Sequence, residues 1–500
     1  MHFARRMKAM IHKEETKKVR EEQPAWTICQ ECKGHGKISQ RLRKKVRMDY
    51  EMAVSQYEKN KDTAEPPVRP KRHLAACLIC KGSGLVHASE HPTADIENYP
   101  HLAIIGGGIG GMALAVACFH RGIPFTLYER DSSFDVRAQG YGLTLQQASK
   151  AMKAFGIFSL QEGVNSTRHL MHTTEGIVIG EWGMRKWKRA DSQTAPKHIN
   201  VHIARQSLRL ALLNQLGGHD AVQWGHQLVS MKKSEDERVE LLFQVDGKTK
   251  TAKVDMVVGA DGIRSAVRRL LFGEDLSPLR YLGCIVILGI CPLSTLEGLD
   301  SPLLDSATVF QTANGNERIY IMPFTTDSVM WQLSFPIAEI EAKYLSAQGT
   351  KALKDEACRR TQWHNPIPQV IAATQEAQIT GYPVYDRELL NPETLSNAGP
   401  ITLIGDAAHP MSPFKGQGAN QALIDALLLA RQIYKAAGPF SQWRDAGIRK
   451  IILTDFEAEM LERSSIKVKD SEEAAHFLHS EMVLEKADEP RGKALRKNKS

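Results

Sequence analysis

Two sets of residues in this chain have types and spacings that could do chemistry. The first is a pattern that occurs twice, Cys29-Gln-Glu-Cys32-Lys-Gly-His-Gly36 and Cys77-Leu-Ile-Cys80-Lys-Gly-Ser-Gly84. Two cysteines separated by two residues can place both thiolates on one metal ion, and the glycines that follow permit a turn that aims backbone N–H groups at sulfur. Two such knuckles supply Cys29, Cys32, Cys77 and Cys80 as a tetrahedral S4 set, which suits Zn2+. The rival is a redox dithiol, but those do not usually come as matched glycine-rich twins. His35, His73 and His87 lie near the knuckles. Four thiolates already fill the coordination of zinc, so these histidines read as surface residues.

The second set begins where the apolar run His101 to Ile105 meets Gly106-Gly-Gly108-Ile-Gly-Gly111 and the helix-forming segment MALAVACFHRG. Gly106 allows a tight turn, Gly108 lets the backbone approach a pyrophosphate, and Gly111 lets the helix pack on the strand with its N-terminus facing the anion. A second strand, Phe125 to Tyr128, ends in Glu129 and Arg130, with the acid at the distance expected for one that binds an adenosine ribose. Two later segments place a carboxylate directly after a strand: Asp261-Gly262 in VVGADGIRSAVR and Asp406 in ITLIGDAAHPMSPFKGQGANQALIDA. Such carboxylates can accept hydrogen bonds from sugar-like hydroxyls, and Gly416 and Gly418 expose backbone N–H groups to a ring carbonyl.

These residues need elements to position them. Strand, turn and helix recur around each motif, which predicts an α/β fold. The run TVFQTANGNERIYIMPFTTDSVMWQLSFP alternates like antiparallel strands with one covered face, and Tyr281 to Leu293 reads as a buried strand too short to cross a bilayer as a helix. Alternation makes Gln311, Met322, Phe324 and Trp331 candidate substrate-pocket residues. IILTDFEAEMLERSSIKV, from Ile451 to Val468, has helical spacing. The 500 residues allow more than one core, and 42% hydrophobic with 24% charged residues is ordinary soluble composition. Of the +8 net charge, +7 falls in the first 100 residues, so a protein or nucleic-acid partner could engage that end. Met1 to Lys13 is basic and compatible with organellar targeting, although Glu14, Glu15, Glu21 and Glu22 break the pattern. No signal-peptide core appears, so a cytoplasmic location is expected.

The glycine-rich turn, the Asp-Gly element and the Gly405-Asp406-x6-Pro413 element occur in the order that identifies single-component flavoprotein hydroxylases of the p-hydroxybenzoate hydroxylase type. The resemblance covers roughly residues 100 to 440. Some segments are also similar to the tetracycline-inactivating, urate- and salicylate-hydroxylase branches. The resemblance implies FAD as cofactor, with Asp406 on the ribityl chain and the loop through Pro413, Gly416, Gly418, Ala419 and Asn420 touching the flavin ring. It also implies Arg205 and Arg137 near the cofactor, Asp261 and Gly262 near FAD and the path of NAD(P)H, and His409 in the loop framework. The cysteine repeats resemble the CxxCxGxG units of the DnaJ-type cysteine-rich domain.

The implied fold is a Rossmann-like FAD-binding domain (100–168, 198–275 and 385–435) with an inserted antiparallel β-sheet substrate domain (169–197 and 276–384). C-terminal helices (436–485), a disordered basic tail (486–500) and an N-terminal zinc module with its linker (1–98) complete it. The implied reaction uses NAD(P)H and O2 to hydroxylate a small aromatic or polycyclic substrate through a flavin C4a-hydroperoxide. No second GxGxxG is present, so NAD(P)H must visit transiently, and no catalytic acid or base stands out. Flavin-dependent halogenases share the first motif, but their Trp-x-Trp-x-Ile-Pro segment is absent. The remaining alternative is a zinc-module adaptor whose flavin domain serves as a redox sensor.

Overall fold

A computed structural model describes residues 24–59, 65–70, 72–137, 141–189, 200–273 and 276–490. The basic start Met1 to Lys13 and residues 491–500 of the expected tail lie outside the described residues. The chain divides into two compact units, Met1–Thr93 and Ala94–Ser500. The division falls before the expected 98 because Asp95 N–H donates to the Gly122 carbonyl at 2.8 Å and Tyr99 is buried in the larger unit's core.

The smaller unit is built on its repeat. Strand Ala25–Ile28 pairs antiparallel with Leu85–Ala88, and Lys37–Ser39 with Leu74–Ala76. Cys29 N–H donates to Gly84 O and Cys77 N–H to Gly36 O, both at 2.9 Å, so each knuckle closes on the other. A Cβ on Gly36 would lie 2.3 Å from Gly82 O, and one on Gly84 2.4 Å from Gly34 O. Only glycine permits that approach. The charged segment after the first knuckle forms the helix Lys44–Lys59, which has no buried residue.

In the larger unit a five-stranded parallel sheet runs in the order 222–223, 125–128, 102–105, 256–259, 401–403. Its central strands are apolar and buried throughout, as a sheet covered on both faces requires. Helix Ile109–Phe119 packs against this sheet and against the long helix Gly418–Ala436. A seven-stranded sheet has the order 178–182, 168–172, 308–313, 318–325, 328–336, 279–292, 379–387. It is antiparallel except where 308–313 meets 168–172. One face packs on helices Glu339–Ala347, Thr350–Arg360 and Ile367–Ala373. The other faces the cavity described below.

The C-terminal helix Thr454–Phe477 connects the two cores. Phe456, Met460 and Leu461 pack with the parallel sheet, while Ala474 packs with Met171 and Ala313 of the large mixed sheet. Its lead-in, Arg449–Leu453, is a wider π turn. Residues 486–490, expected as loose tail, are held: Ala487 N–H donates to Ile179 O at 3.1 Å and Asp488 accepts from Glu181 N–H at 3.0 Å. They cover strand Val178–Trp182, whose outer edge would otherwise leave backbone groups unpaired. Among the described residues no helix is long and apolar enough to cross a membrane.

Candidate active site

A cavity of about 1020 Å³ lies in the larger unit, between the glycine-rich turns of the parallel sheet and one face of the seven-stranded sheet. Two helix N-termini open into it. Helix Ile109–Phe119 begins at Gly108 with no side-chain cap and no acid in its first turn, and Gly108, Ile109 and Gly110 line the cavity. Helix Gly418–Ala436 begins likewise without a side-chain cap, and Gly416, Gly418 and Ala419 line the cavity. Uncapped first-turn N–H groups and the helix dipole together make an anion site.

The backbone at these turns is sterically committed. Gly106 has φ +110°, and a Cβ there would sit 2.6 Å from Ala260 O; a Cβ on Gly111 would lie 1.9 Å from Gly106 O. Gly416 has φ +59° in the left-handed region. Asp406 follows strand Ile401–Leu403 and faces the open cavity while protein encloses it on its other sides. Burial pushes its carboxyl above the ordinary carboxylate range, opposed by His409 and Arg205. Arg205, the first residue of helix Arg205–Gln215, lines the same cavity and lies over the Tyr141 ring at 5.6 Å.

Several other predicted residues do not line the cavity. Asp261 caps helix Ala266–Phe272: its Oδ2 accepts from Ala266 and Val267 N–H at 2.7 and 3.2 Å, and its Oδ1 from the Ser265 hydroxyl. It does not line the cavity, although Gly262 does. Glu129 is buried, with its carboxylate accepting from Gly107 N–H at 2.6 Å and Asp131 N–H at 3.0 Å. Arg130 is exposed away from the lining. Arg137 ends the short turn Phe134–Arg137, and its side chain lies outside the described residues.

Asn420 is a brace. It accepts from Gln146 and Ala148 N–H and donates to Thr144 O and Gly416 O, tying the glycine loop to strand Gly142–Leu145. His409 is buried with its Nε2 2.7 Å from Asp425 Oδ2, and Arg463 donates to Asp425 Oδ1 at 2.8 Å. Burial alone would raise Asp425, but His409 and Arg463 outweigh it and hold the carboxyl below its ordinary value. This set anchors the loop, since Asp425 also accepts from Gly405 N–H at 2.9 Å.

On the sheet side, Gln311 and Met322 line the cavity. Trp331 does not: it is fully buried on the opposite face, donating to Thr374 Oγ1 at 2.9 Å. Strand alternation sends its neighbours Met330 and Gln332 into the cavity instead. Phe324 packs with Met322, Met330 and Tyr141 outside the lining. Residues that the pattern did not single out complete the wall, chiefly Arg318, Tyr320, Tyr382 and Phe414.

Comparison with known proteins identifies this arrangement. The model of the family described as "FAD binding domain" matches residues 100–438. The aurachin C monooxygenase/isomerase of Stigmatella aurantiaca is 30% identical over 360 residues, covering 71% of this chain and 86% of that protein. The chain belongs to the FAD-dependent monooxygenases. Another relative is the 6-hydroxynicotinate 3-monooxygenase of Pseudomonas fluorescens, 25% identical over 345 residues, covering 66% of this chain and 82% of that protein. The solved structure of Klebsiella pneumoniae HpxO with FAD and uric acid has the same fold at 22% identity, with a TM-score of 0.63 over 79% of this chain and 92% of that one. The protein is therefore an FAD-dependent monooxygenase, and its α/β fold is that of the family. The family match starts at residue 100, beyond the cysteine unit.

The cavity fits the cofactor that the family implies. Two uncapped helix N-termini suit a pyrophosphate and a ring carbonyl, and a cavity-facing carboxylate suits a ribityl hydroxyl. The lining carries more cations than anions: Arg205, Arg264, Arg318, Lys343 and Lys415 line it, with Asp406 as its one carboxylate.

Proposed function

We propose that this monooxygenase uses NAD(P)H and O2 to hydroxylate a small aromatic or polycyclic compound held against the seven-stranded sheet. The observation that carries this reading is the placement of Asp406 and the two uncapped helix N-termini across one cavity from Gln311, Tyr320, Met322 and Met330. FAD, when bound, accepts the reducing equivalents and activates oxygen. Asp406 would hold the ribityl chain, the helix starting at Gly108 would bind the pyrophosphate, and Gly416 to Ala419 would meet the ring. Met322, Met330 and Phe414 supply apolar wall that excludes water from the reacting face. A single dinucleotide turn supports transient entry of NAD(P)H rather than a permanent second site.

Parallel measurement of nicotinamide absorbance and hydroxylated product across phenols, purines and polyketides tests the reading. Slow oxidation alone that accelerates with substrate is expected. Oxygen-independent turnover or halide-dependent product would count against it.

For the smaller unit we propose one structural Zn2+ on Cys29, Cys32, Cys77 and Cys80. Their four buried sulfurs lie within 4.8 Å of one another. Cys29 Sγ is 3.8 Å from Cys77 Sγ, and Cys32 Sγ is 3.7 Å from Cys80 Sγ. Tetrahedral zinc with Zn–S of about 2.3 Å separates its sulfurs by about 3.8 Å, whereas a disulfide would bring them to about 2.05 Å. Gly36 and Gly84 N–H donate to Cys32 and Cys80 sulfur at 3.1 and 3.2 Å, the support a thiolate pair needs.

A further inference from the structure

Helices Glu339–Ala347 and Thr350–Arg360 both pack against the edge strand Ile379–Arg387 of the seven-stranded sheet, yet they meet solvent differently. Helix Thr350–Arg360 has the usual division: Leu353 and Ala357 are buried, while Lys351, Asp355 and Arg359 point outward with side chains 72%, 62% and 64% exposed. Helix Glu339–Ala347 buries Ala342. With about 100° of turn per residue, the direction facing away from Ala342 falls midway between Ile340 and Tyr344. These two are 81% and 68% exposed. The outermost line of this helix is therefore apolar, where an amphipathic surface helix places charge.

Single exposed apolar residues are ordinary, so the position decides. Residues that line the cavity and are also open to solvent mark its rim. They include Lys343, whose side chain is 59% exposed, together with Ala347 and Arg264. Lys343 is three residues from Ile340 and Ala347 three from Tyr344, so the rim-facing side of the helix adjoins the apolar line. At the edge of the sheet, Ile340 and Tyr344 thus border the opening of the cavity. Arg264 and Lys343 place cations at the same opening, with Glu339 paired to Lys343 at 2.6 Å.

The size of the line argues for what covers it. A specific protein–protein contact buries about 800 Å² on each partner, far more than two side chains supply, and this helix exposes no other large hydrophobic residue. A lipid surface needs less: a shallow apolar insertion with cations beside it to meet the headgroup phosphates. We infer that the protein rests on an anionic phospholipid surface through Ile340 and Tyr344, and that this contact sets the cavity rim at Arg264 and Lys343 against the headgroups. A tyrosine suits that depth, its ring among the acyl carbons and its hydroxyl in the wet layer. A compound dissolved in the bilayer then has the cavity opening beside it; that what enters is the substrate rests on the monooxygenase reading.

The test uses full-length, FAD-loaded protein and mixed phosphatidylcholine–phosphatidylglycerol vesicles, separated by flotation. The wild type is expected to float with them. Ile340→Ser/Tyr344→Ser should partition at least about 10-fold less, from the loss of two inserted apolar side chains. The basic first 100 residues are the same in both proteins, so the difference between them reads the helix alone. A second variant locates the contact: Tyr344→Trp should gain fluorescence quenching by vesicles with brominated acyl chains, beyond that of the wild-type tryptophans. Both positions are exposed, so Tm and FAD content in either variant should match the wild type.

Absence of flotation, equal flotation of wild type and double variant, or no added quenching in Tyr344→Trp would each overturn the inference. So would a concentration-dependent dimer that the double variant abolishes, which would assign the face to a second copy. Failure of the monooxygenase reading looks different. A chain that retained no flavin, or turned over without oxygen, would still float, because neither Ile340 nor Tyr344 lines the cavity.

Discussion

The two units achieve order in opposite ways. In the smaller unit the residues buried beside the cysteines are few, chiefly Trp26, Ile28 and Leu85, and the helix Lys44–Lys59 contributes none. In the larger unit two extensive apolar clusters, one under each large sheet, carry the fold, and the cavity lies between the glycine turns and the mixed sheet. The comparison teaches that a unit too small to bury a core would need a bound metal, as proposed for the four cysteines, to hold its fold. A unit with a large core can instead leave a cavity open for a ligand that is not part of the fold.

The sharpest way to break this comparison is to remove the metal proposed for the four cysteines. Apparent binding free energies for structural zinc are on the order of 10–16 kcal/mol, far more than the few apolar residues of the smaller unit can replace. One zinc per chain is expected by metal analysis. Chelation, or Cys32→Ser, should open residues 25–90 to proteolysis while the flavin absorbance stays unchanged. A smaller unit that keeps its protection without metal would show that the cysteines are not its ligand-dependent core.

The next effect is smaller and belongs to the larger unit. Asp406→Ala removes a carboxylate acceptor from the cavity without disturbing either apolar cluster, so the protein should fold normally and bind FAD more weakly. A hydrogen bond from a hydroxyl to a charged group is worth about 1.5–3 kcal/mol, which corresponds to roughly 10- to 100-fold in affinity. Titration of the flavin-free protein with FAD measures this. Unchanged affinity would mean that the carboxylate faces the cavity for another purpose.

The cysteine cluster of the smaller unit was legible in the sequence because its cysteines and turn glycines are contiguous and repeated. The glycine turns of the larger unit were legible for the same reason, as was the antiparallel run that became three strands of the mixed sheet. The cavity wall was not. Alternation reveals that a strand has two faces, but which face meets the cavity depends on register against neighbours distant in sequence. Hence alternation proposes Trp331 for the pocket, while Met330 and Gln332 have the cavity-facing parity. Asp261 follows a strand as Asp406 does, but in sequence a strand-end carboxylate looks the same whether it meets a hydroxyl or, as here, the N–H groups of a helix start. Ser265, whose hydroxyl accepts from Arg268 N–H at 2.9 Å, was the local sign of a cap.

The smallest expected effect concerns acid and separates the units by mechanism. His202, on strand Asn200–Ala204, is fully buried, with Nδ1 3.0 Å from Thr144 Oγ1 and no partner for Nε2. Burial, with His169 adding to it, pushes it down to about 3. His172, at the end of strand Arg168–His172 of the seven-stranded sheet, is pushed down to about 4 by burial and by His364, whose ring is 4.9 Å away. In the unfolded chain both would titrate near 6.5. Between about 6.5 and these native values the unfolded state binds more protons, so stability falls as pH drops through that window and is unaffected well above it. By pH 5.5 the loss is on the order of 1 kcal/mol for each histidine. Urea unfolding monitored by flavin circular dichroism at pH 7.5 and 5.5 should therefore show a smaller acid loss in His202→Gln than in wild type, by about that amount. Acid opening of the smaller unit should instead follow the release of zinc from protonating thiolates and be indifferent to His202→Gln. An identical acid loss in wild type and variant would mean that the imidazole is hydrated in the native state.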